Sequence, residues 1–185
     1  VESTGIALFP KKSHNDIQIM SVNLLLENPN DPVIWRGAMV SGVVKQFWTD
    51  VIWDALDVLF IDMPPGTGDV PLTVFQSIPV DGVVIVTSPQ ELVKDIVEKS
   101  FGMARMMDIP VIGLIENYSY VLCPDCGKKI EIYGKGKTAE AAQSFGVPLL
   151  AEIPMDKDIA ALSDSGDMDK VSVKYIEAAA NQVEM

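Results

Sequence analysis

The chain has 185 residues, of which 48% are apolar, with a formal net charge of −12 and two cysteines. A chain of this length and composition buries one good core, which predicts a single globular domain over residues 1–185. The negative charge opposes binding to nucleic acid or to an anionic membrane, because both would repel an acidic surface. No window has the roughly eighteen uncharged apolar residues of a membrane span, and no basic-then-apolar signal opens the sequence. We therefore expect a cytoplasmic protein with neither nucleic acid nor membrane among its partners.

Short apolar runs rich in branched side chains alternate along the chain with helix-like patterns. The runs predict buried strands at residues 17–26, 58–61, 83–86, 111–115 and 149–153. Apolar side chains at helical spacing predict helices over 40–51 and 92–104. The second helix has a capping box in which Ser88 is the cap and Glu91 its partner. Strands that alternate with helices form βαβ units, so we predict an α/β fold of the P-loop NTPase type, a mostly parallel sheet with helices on both faces.

A carboxylate and a glycine-rich loop follow the run at 58–61. The run ends at Asp62 and continues as Met-Pro-Pro-Gly-Thr-Gly-Asp. The carboxyl edge of a parallel sheet is where such sheets bind ligands, and a carboxylate there suits a magnesium ion. Asp62 is therefore the candidate magnesium ligand, while Gly66 would let a backbone N–H approach a terminal phosphate. An ordinary strand end followed by a Pro-Gly turn explains the short string equally well.

The two cysteines stand in the string Cys-Pro-Asp-Cys-Gly, within a predicted excursion from the sheet at residues 122–137. The spacing of Cys123 and Cys126 brings both sulfurs to one side of a tight turn, which favours metal or redox chemistry in a reducing compartment. Two thiolates leave a tetrahedral site half filled, and the single His14 lies far away in the sequence. A two-fold axis beside the motif would double two ligands to four. A shared iron-sulfur cluster, a bridged zinc ion, a thioredoxin-like dithiol and a coincidental buried pair all remain open.

Residues 134–138 imitate the end of a Walker A loop. The imitation fails because Glu131 stands where the motif requires its first glycine, and because the segment follows the cysteine pair and not an N-terminal apolar strand. We expect Thr138 to cap a helix over residues 139–145.

Taken together, the motifs resemble those of one known family. The strings that carry the resemblance are Pro-Val-Ile-Trp-Arg-Gly at 32–37, Asp-Met-Pro-Pro-Gly-Thr-Gly-Asp at 62–69, Thr-Ser-Pro-Gln-Glu at 87–91, Glu-Asn-Tyr-Ser-Tyr at 116–120 and Cys-Pro-Asp-Cys-Gly at 123–127. They are similar to the Mrp/ApbC family of iron-sulfur carrier ATPases, in the MinD/ParA-like branch of P-loop proteins, over nearly the whole chain. The resemblance implies an ATP hydrolase that assembles an iron-sulfur cluster and transfers it to apo iron-sulfur proteins.

The resemblance also implies roles for the residues near the nucleotide. Asp62 corresponds to the Walker B carboxylate that holds Mg²⁺, Gly66 to the switch II glycine, and Asn117 to the asparagine that reads the base. A carboxamide offers both a donor and an acceptor to a purine edge. Because no aspartate follows Asn117 as a guanine-selective loop requires, we expect adenine, hence ATP. Asp62, Gly66 and Asn117 are accordingly expected to line one crevice.

Further positions follow from the same resemblance. Cys123 and Cys126 correspond to the ligands of a cluster, expected to be 4Fe-4S, shared between the subunits of a homodimer. Pro154 and Asp156 follow the last predicted strand and could pack against the base, although Asp156 fits a plain helix cap at least as well.

The resemblance places the Walker A loop and the strand before it N-terminal to Val1. We therefore expect the sequence to be truncated at its N-terminus, to lack the central strand of the sheet and to be unable to hold ATP normally. Trp35 and Arg36 look family-specific, but neither has an assigned chemistry, and a structural salt bridge is the favoured interpretation for Arg36. Two other classes of function compete with a cluster carrier. A MinD/ParA-like positioning ATPase would not need the cysteine pair, and a zinc-bridged interaction module would need no nucleotide.

Overall fold

The computed structural model of the chain describes residues 2–3, 7–26, 28, 37–90, 93–134 and 136–183. Contacts within the chain divide it into two compact units, residues 1–79 and 80–185. The single domain over 1–185 stays a prediction. Trp35, Arg36 and the capping-box residue Glu91 lie outside the described residues. No helix in the described ranges is long and apolar enough to cross a membrane.

The first unit contains two small hairpins and two helices. Its elements are β1 (Glu2–Ser3), β2 (Leu8–Phe9), β3 (Lys11–Lys12), β4 (Gln18–Ile19), a 3₁₀ helix (Val22–Leu25), α1 (Ala38–Thr49) and α2 (Asp69–Ser77). β1 pairs antiparallel with β2, and β3 pairs antiparallel with β4. α1 packs against α2, and a 2.9 Å hydrogen bond joins the hydroxyls of Ser41 and Thr73 between them. α1 confirms the helix predicted at 40–51, whereas α2 was not predicted.

Two of the predicted strands are wrong. The run at 17–26 contributes only Gln18–Ile19 to a strand, after which Ser21 caps the 3₁₀ helix by accepting a 3.3 Å hydrogen bond from the N–H of Asn23. The run at 58–61 forms no strand, and Phe60 within it is 78% exposed. A strand is held by a ladder of hydrogen bonds to a neighbour, and none of the described segments pairs with this run.

The second unit is built on a parallel sheet. Its strands are β5 (Val83–Thr87), β6 (Val111–Glu116), β7 (Val121–Leu122), β8 (Lys129–Ile130) and β9 (Leu149–Glu152). Its helices are α3 (Val93–Met106), α4 (Thr138–Phe145), α5 (Lys157–Ser165) and α6 (Glu177–Val183), with 3₁₀ turns at Met168–Lys170 and Val173–Tyr175. β5, β6 and β9 form the parallel sheet in the order β5-β6-β9, and β7 and β8 form a separate antiparallel hairpin. The α/β class and the strands predicted at 83–86, 111–115 and 149–153 are confirmed.

The core of this unit lies between the sheet and two of its helices. α3 packs against β5 and β6, and α4 packs against β6 and β9. Ile85 and Leu114 from the strands meet Val97 and Ala142 from the helices, and all four are buried. Branched apolar residues suit strands against which helices pack in this way. The packing fixes the carboxyl ends of β6 and β9 side by side.

Candidate functional site

Two adjacent loops lie at the carboxyl ends of β6 and β9. Backbone hydrogen bonds tie them together, since the N–H of Ser119 donates to the carbonyl of Ile153 at 2.9 Å and the N–H of Met155 donates to that of Tyr120 at 2.8 Å. The loop after β6 and the loop after β9 therefore form one continuous surface.

The three residues predicted to contact the base stand on these loops. Asn117 follows β6, and its Oδ1 accepts a 2.9 Å hydrogen bond from the N–H of Tyr118, while its Nδ2 makes none with the described part of the chain. Pro154 and Asp156 lie on the loop after β9. Asp156 caps α5, because its Oδ1 accepts from the N–H of Asp158 at 2.9 Å. The helix-cap alternative for Asp156 is thus observed, and contact of these residues with a base stays a prediction.

Asp62 and Gly66 belong to the first unit. Asp62 is exposed, and its carboxylate makes no hydrogen bond or ion pair with the residues that the structure describes. Carboxylate oxygens are the ligands that Mg²⁺ prefers, so a free carboxylate fits the predicted ion. Gly66 has φ = 88°, a conformation that disfavours any side chain. The crevice predicted to join Asp62 and Gly66 with Asn117 stays a prediction.

The loop that contains Gly66 borders a cavity of about 360 Å³ in the first unit. The first turns of α1 and α2 line it together with Pro64 and Pro65. The residues at the two helix starts, Gly37 and Gly68, provide no side-chain cap. The first N–H groups of a helix lack partners within the helix and carry partial positive charge, which suits an anionic oxygen. The sequence did not predict this pairing of helix starts, because α2 is only nine residues long and contains a proline in its first turn.

The cysteine pair occupies the tip of the β7–β8 hairpin. The N–H of Cys123 donates to the carbonyl of Lys128 at 3.0 Å, and the N–H of Gly127 donates to that of Cys123 at 2.9 Å. Gly127 has φ = 70°, the left-handed conformation that closes this turn. Both thiols are free, Cys123 partly exposed and Cys126 exposed. The predicted excursion from the sheet is therefore a short hairpin that presents two sulfurs.

The hairpin tip favours the thiolate form of one cysteine. Hydrogen bonds from the backbone of Cys126 and then of Asp125, with a further contribution from the Cys126 thiol, lower the pKa of Cys123 below its ordinary value. The thiolate is the form of cysteine that binds metals. Across the described ranges, no three His, Cys, Asp or Glu side chains converge on a possible metal position. One chain thus offers a candidate metal site with two sulfur ligands.

We predict that Cys123 alkylates at lower pH than a simple thiol. In a Cys126→Ser variant, Cys123 is the only thiol and the backbone N–H groups beside it remain. A lowered pKa increases the thiolate fraction at any given pH. The midpoint of a plot of the iodoacetamide reaction rate against pH should therefore lie at a lower pH than the midpoint for N-acetylcysteine amide. The same variant in urea is the control, since unfolding removes the turn and should restore the ordinary midpoint. A folded variant that matches the simple thiol would contradict the prediction.

Thr138 does not have the predicted role. α4 begins at Thr138 itself, and its hydroxyl donates to the carboxylate of Glu116. The preceding residue, Lys137, occupies the cap position and makes no side-chain capping hydrogen bond. The cap prediction is therefore wrong, because a tertiary contact uses the hydroxyl. The contacts of Glu116 were also not predicted, although it is an acidic residue at the end of an apolar strand and belongs to the string at 116–120.

Comparison with known proteins shows the family to which this chain belongs. A family model described as NUBPL iron-transfer P-loop NTPase, in the ParA group, matches residues 1–184. The chain belongs to this family. The resemblance drawn from the motifs, to iron-sulfur carrier ATPases of the P-loop class, is therefore confirmed.

Curated relatives of this P-loop NTPase are iron-sulfur cluster carrier proteins. The protein of that name from Methanocaldococcus jannaschii is 48% identical over 160 residues, which is 86% of this chain and 55% of the relative. The one from Clostridium perfringens is 43% identical over 165 residues, 89% of this chain and 58% of the relative. The chain thus spans little more than half the length of these relatives. A solved nucleotide-binding protein from Archaeoglobus fulgidus, in complex with ADP, is 38% identical, has a TM-score of 0.76, and is matched over 90% of this chain and 64% of its own.

Proposed function

We propose that this chain is part of an ATP-dependent iron-sulfur cluster carrier that acts in the cytosol as a homodimer. Two copies hold one 4Fe-4S cluster between them and deliver it to apo iron-sulfur proteins. One observation carries the proposal: Cys123 and Cys126 stand accessible at a hairpin tip that has no third metal-binding side chain among the described residues. Common cubane clusters take four protein ligands, so two chains complete the set.

The surroundings of the cysteines support a second copy as the source of the missing ligands. Four large apolar side chains on or beside the hairpin are exposed: Leu122, Ile130, Ile132 and Tyr133. Apolar groups clustered in this way favour an interface over open solvent. A two-fold axis at the tip would cover these groups and bring both cysteine pairs together. A cluster held at the boundary between two subunits is accessible to a recipient, as a carrier requires.

The nucleotide parts of the proposal rest on separate features. Asp62 would hold Mg²⁺, which supplies charge neutralisation at the phosphates when bound. The uncapped starts of α1 and α2 would bind phosphate oxygens through backbone N–H groups. Asn117 would recognise the adenine, with Pro154 and Asp156 beside it. The ADP complex of the similar protein from Archaeoglobus fulgidus supports a nucleotide at this fold. The Gly66 loop would respond to the terminal phosphate and change the dimer contact that holds the cluster.

The test is anaerobic reconstitution of the complete protein with iron and sulfide, followed by a visible spectrum and a count of iron, labile sulfide and chains. We expect broad iron-sulfur absorption and one 4Fe-4S cluster for every two chains. Zinc bound without labile sulfide would contradict the carrier function and favour a zinc-bridged interaction module. A protein that hydrolyses ATP but retains no metal would favour a positioning ATPase.

A further inference from the structure

A buried carboxylate stands beside the candidate base-reading residue. Glu116 is the last residue of β6, directly before Asn117, and only 3% of it is exposed. Its Oε1 accepts a 2.6 Å hydrogen bond from the hydroxyl of Ser119, and its Oε2 accepts one from the hydroxyl of Thr138. Burying a carboxylate is costly unless hydrogen bonds replace its water, and both carboxylate oxygens have such a partner here. Such a costly burial indicates that the carboxylate has a specific role at this place in the fold.

The loop before α4 packs directly against the same carboxylate. A Cβ atom on Gly136 would lie 2.5 Å from Oε2 of Glu116 and 2.9 Å from Oε1, closer than van der Waals contact allows. A side chain at position 136 would therefore force the hydrogen-bonded carboxylate to shift. The loop before α4 thus approaches the end of β6 too closely for a side chain to fit without that movement.

The two hydroxyl donors mark the two ends of the cysteine hairpin. Ser119 lies just before the chain leaves the sheet to form β7, and Thr138 begins the helix by which the chain returns after β8. Everything between them, including Cys123 and Cys126, is an excursion whose start and end are held by one side chain. Glu116 also directly precedes Asn117 in the sequence, so it is covalently joined to the loop that carries Asn117.

We propose that Glu116 is a positioning residue that links the candidate base loop to the foot of the cysteine hairpin, so that nucleotide binding changes how tightly the cluster is held. This inference rests on the proposed function, because it needs both a nucleotide and a cluster. This role requires no contact between Glu116 and either ligand. Glu116 acts by keeping the Ser119 end and the Thr138 end of the hairpin in fixed register with Asn117. Without the carboxylate, movement of the base loop is no longer transmitted to the hairpin.

The experiment compares cluster loss to a chelator, followed by visible absorbance, with and without ATP. In the complete reconstituted protein we expect ATP to change the rate of loss. In Glu116→Ala the rates with and without ATP should coincide, although the protein still loads a cluster. Glu116→Gln should recover part of the ATP effect, because its carboxamide oxygen still accepts a hydroxyl hydrogen bond. Glu140→Gln is the matched control, since Glu140 is an exposed carboxylate in the first turn of α4, and it should behave as the parent does.

Three further variants keep the inference testable if Glu116→Ala fails to fold. Ser119→Ala and Thr138→Val each remove one of the two hydrogen bonds, and Gly136→Ala pushes a methyl group against the carboxylate. Each should reduce the ATP effect while thermal unfolding shows a folded protein. An ATP effect of parental size in Glu116→Ala, or in all three of these variants, would overturn the linkage. A parent that loads a cluster but loses it equally fast with and without ATP would also overturn it, whereas a parent that loads no cluster would contradict the proposed function instead.

Discussion

Replacing Cys126 with serine in the complete protein should reduce its iron-sulfur cluster content to background, and replacing Cys123 should do the same. Thiolate is a far better ligand for iron than a neutral serine hydroxyl, while the two side chains differ little in bulk. In a shared site, one substitution per chain removes two of the four ligands at once. The measurement is the iron and labile sulfide content after anaerobic reconstitution, together with the visible absorbance.

Asp125→Asn is the control for this experiment, because it changes the same turn and leaves both thiols in place. It should load a cluster as the parent does. Nucleotide binding should change little in either cysteine variant, since neither side chain belongs to the candidate nucleotide residues. Sedimentation combined with metal analysis tests the shared geometry, and the cluster should travel with dimers alone. A monomer that carries a full cluster would refute the bridging arrangement, and a serine variant with parental iron and sulfide would remove the cysteine from the ligand set.

The sheet of the second unit was predictable because its strands satisfy a local rule and also have neighbouring strands and helices packed against them. The runs at 83–86 and 111–115 are rich in branched apolar residues, and the structure packs α3 and α4 against them. The stacked rings of Phe101 and Phe145, with centroids 4.4 Å apart, link these two helices. Each helix contributes apolar side chains of its own to this core. Local pattern and tertiary packing therefore agreed.

The run at 58–61 is an exception to the rule that a short run of branched apolar residues forms a strand. Its composition is as strand-like as that of β5, and yet it is exposed and unpaired within the described part of the chain. Hydrophobicity indicates that a segment favours burial, but it does not supply a hydrogen-bonding neighbour. A ladder is a property of two segments together. A pattern read along one segment could not reveal whether the second was present beside it.

The candidate metal site was largely predictable from the sequence, whereas the contacts of the Glu116 carboxylate at the two ends of the cysteine hairpin were not. The Cys-x-x-Cys spacing and Gly127 are local, and they produce the tight turn directly. The contact between Glu116 and Thr138 spans 22 positions in the sequence. Thr138 also satisfies the local rule for a helix cap, which pointed to the wrong partner. Side chains that join distant loops leave no trace at short spacing, so only the fold could identify Glu116.

Asp62→Ala should reduce the ATP turnover of the complete protein by roughly a hundredfold or more. Metal positioning and charge neutralisation carry most of the catalysis of phosphoryl transfer. A metal ion contributes several kcal/mol of transition-state stabilisation, and about 1.4 kcal/mol corresponds to a tenfold change in rate. Asp62→Asn should show a similar loss, because a neutral amide is a weaker ligand for Mg²⁺ than a carboxylate. The measurement is steady-state phosphate release at saturating ATP and Mg²⁺.

Asp57→Asn is the matched control for Asp62, because it neutralises another exposed aspartate, the one that directly precedes the same apolar run in the sequence. It should retain the parental rate. Cluster loading should survive in both Asp62 variants, since the cysteine hairpin supplies all the cluster ligands proposed for this chain. If turnover falls only in the Asp62 variants while cluster content stays constant, then nucleotide chemistry and cluster binding use separate residues. Equal rates in Asp62→Ala and the parent would remove Asp62 from the magnesium site, and the carboxylate would then have to be sought elsewhere in the chain.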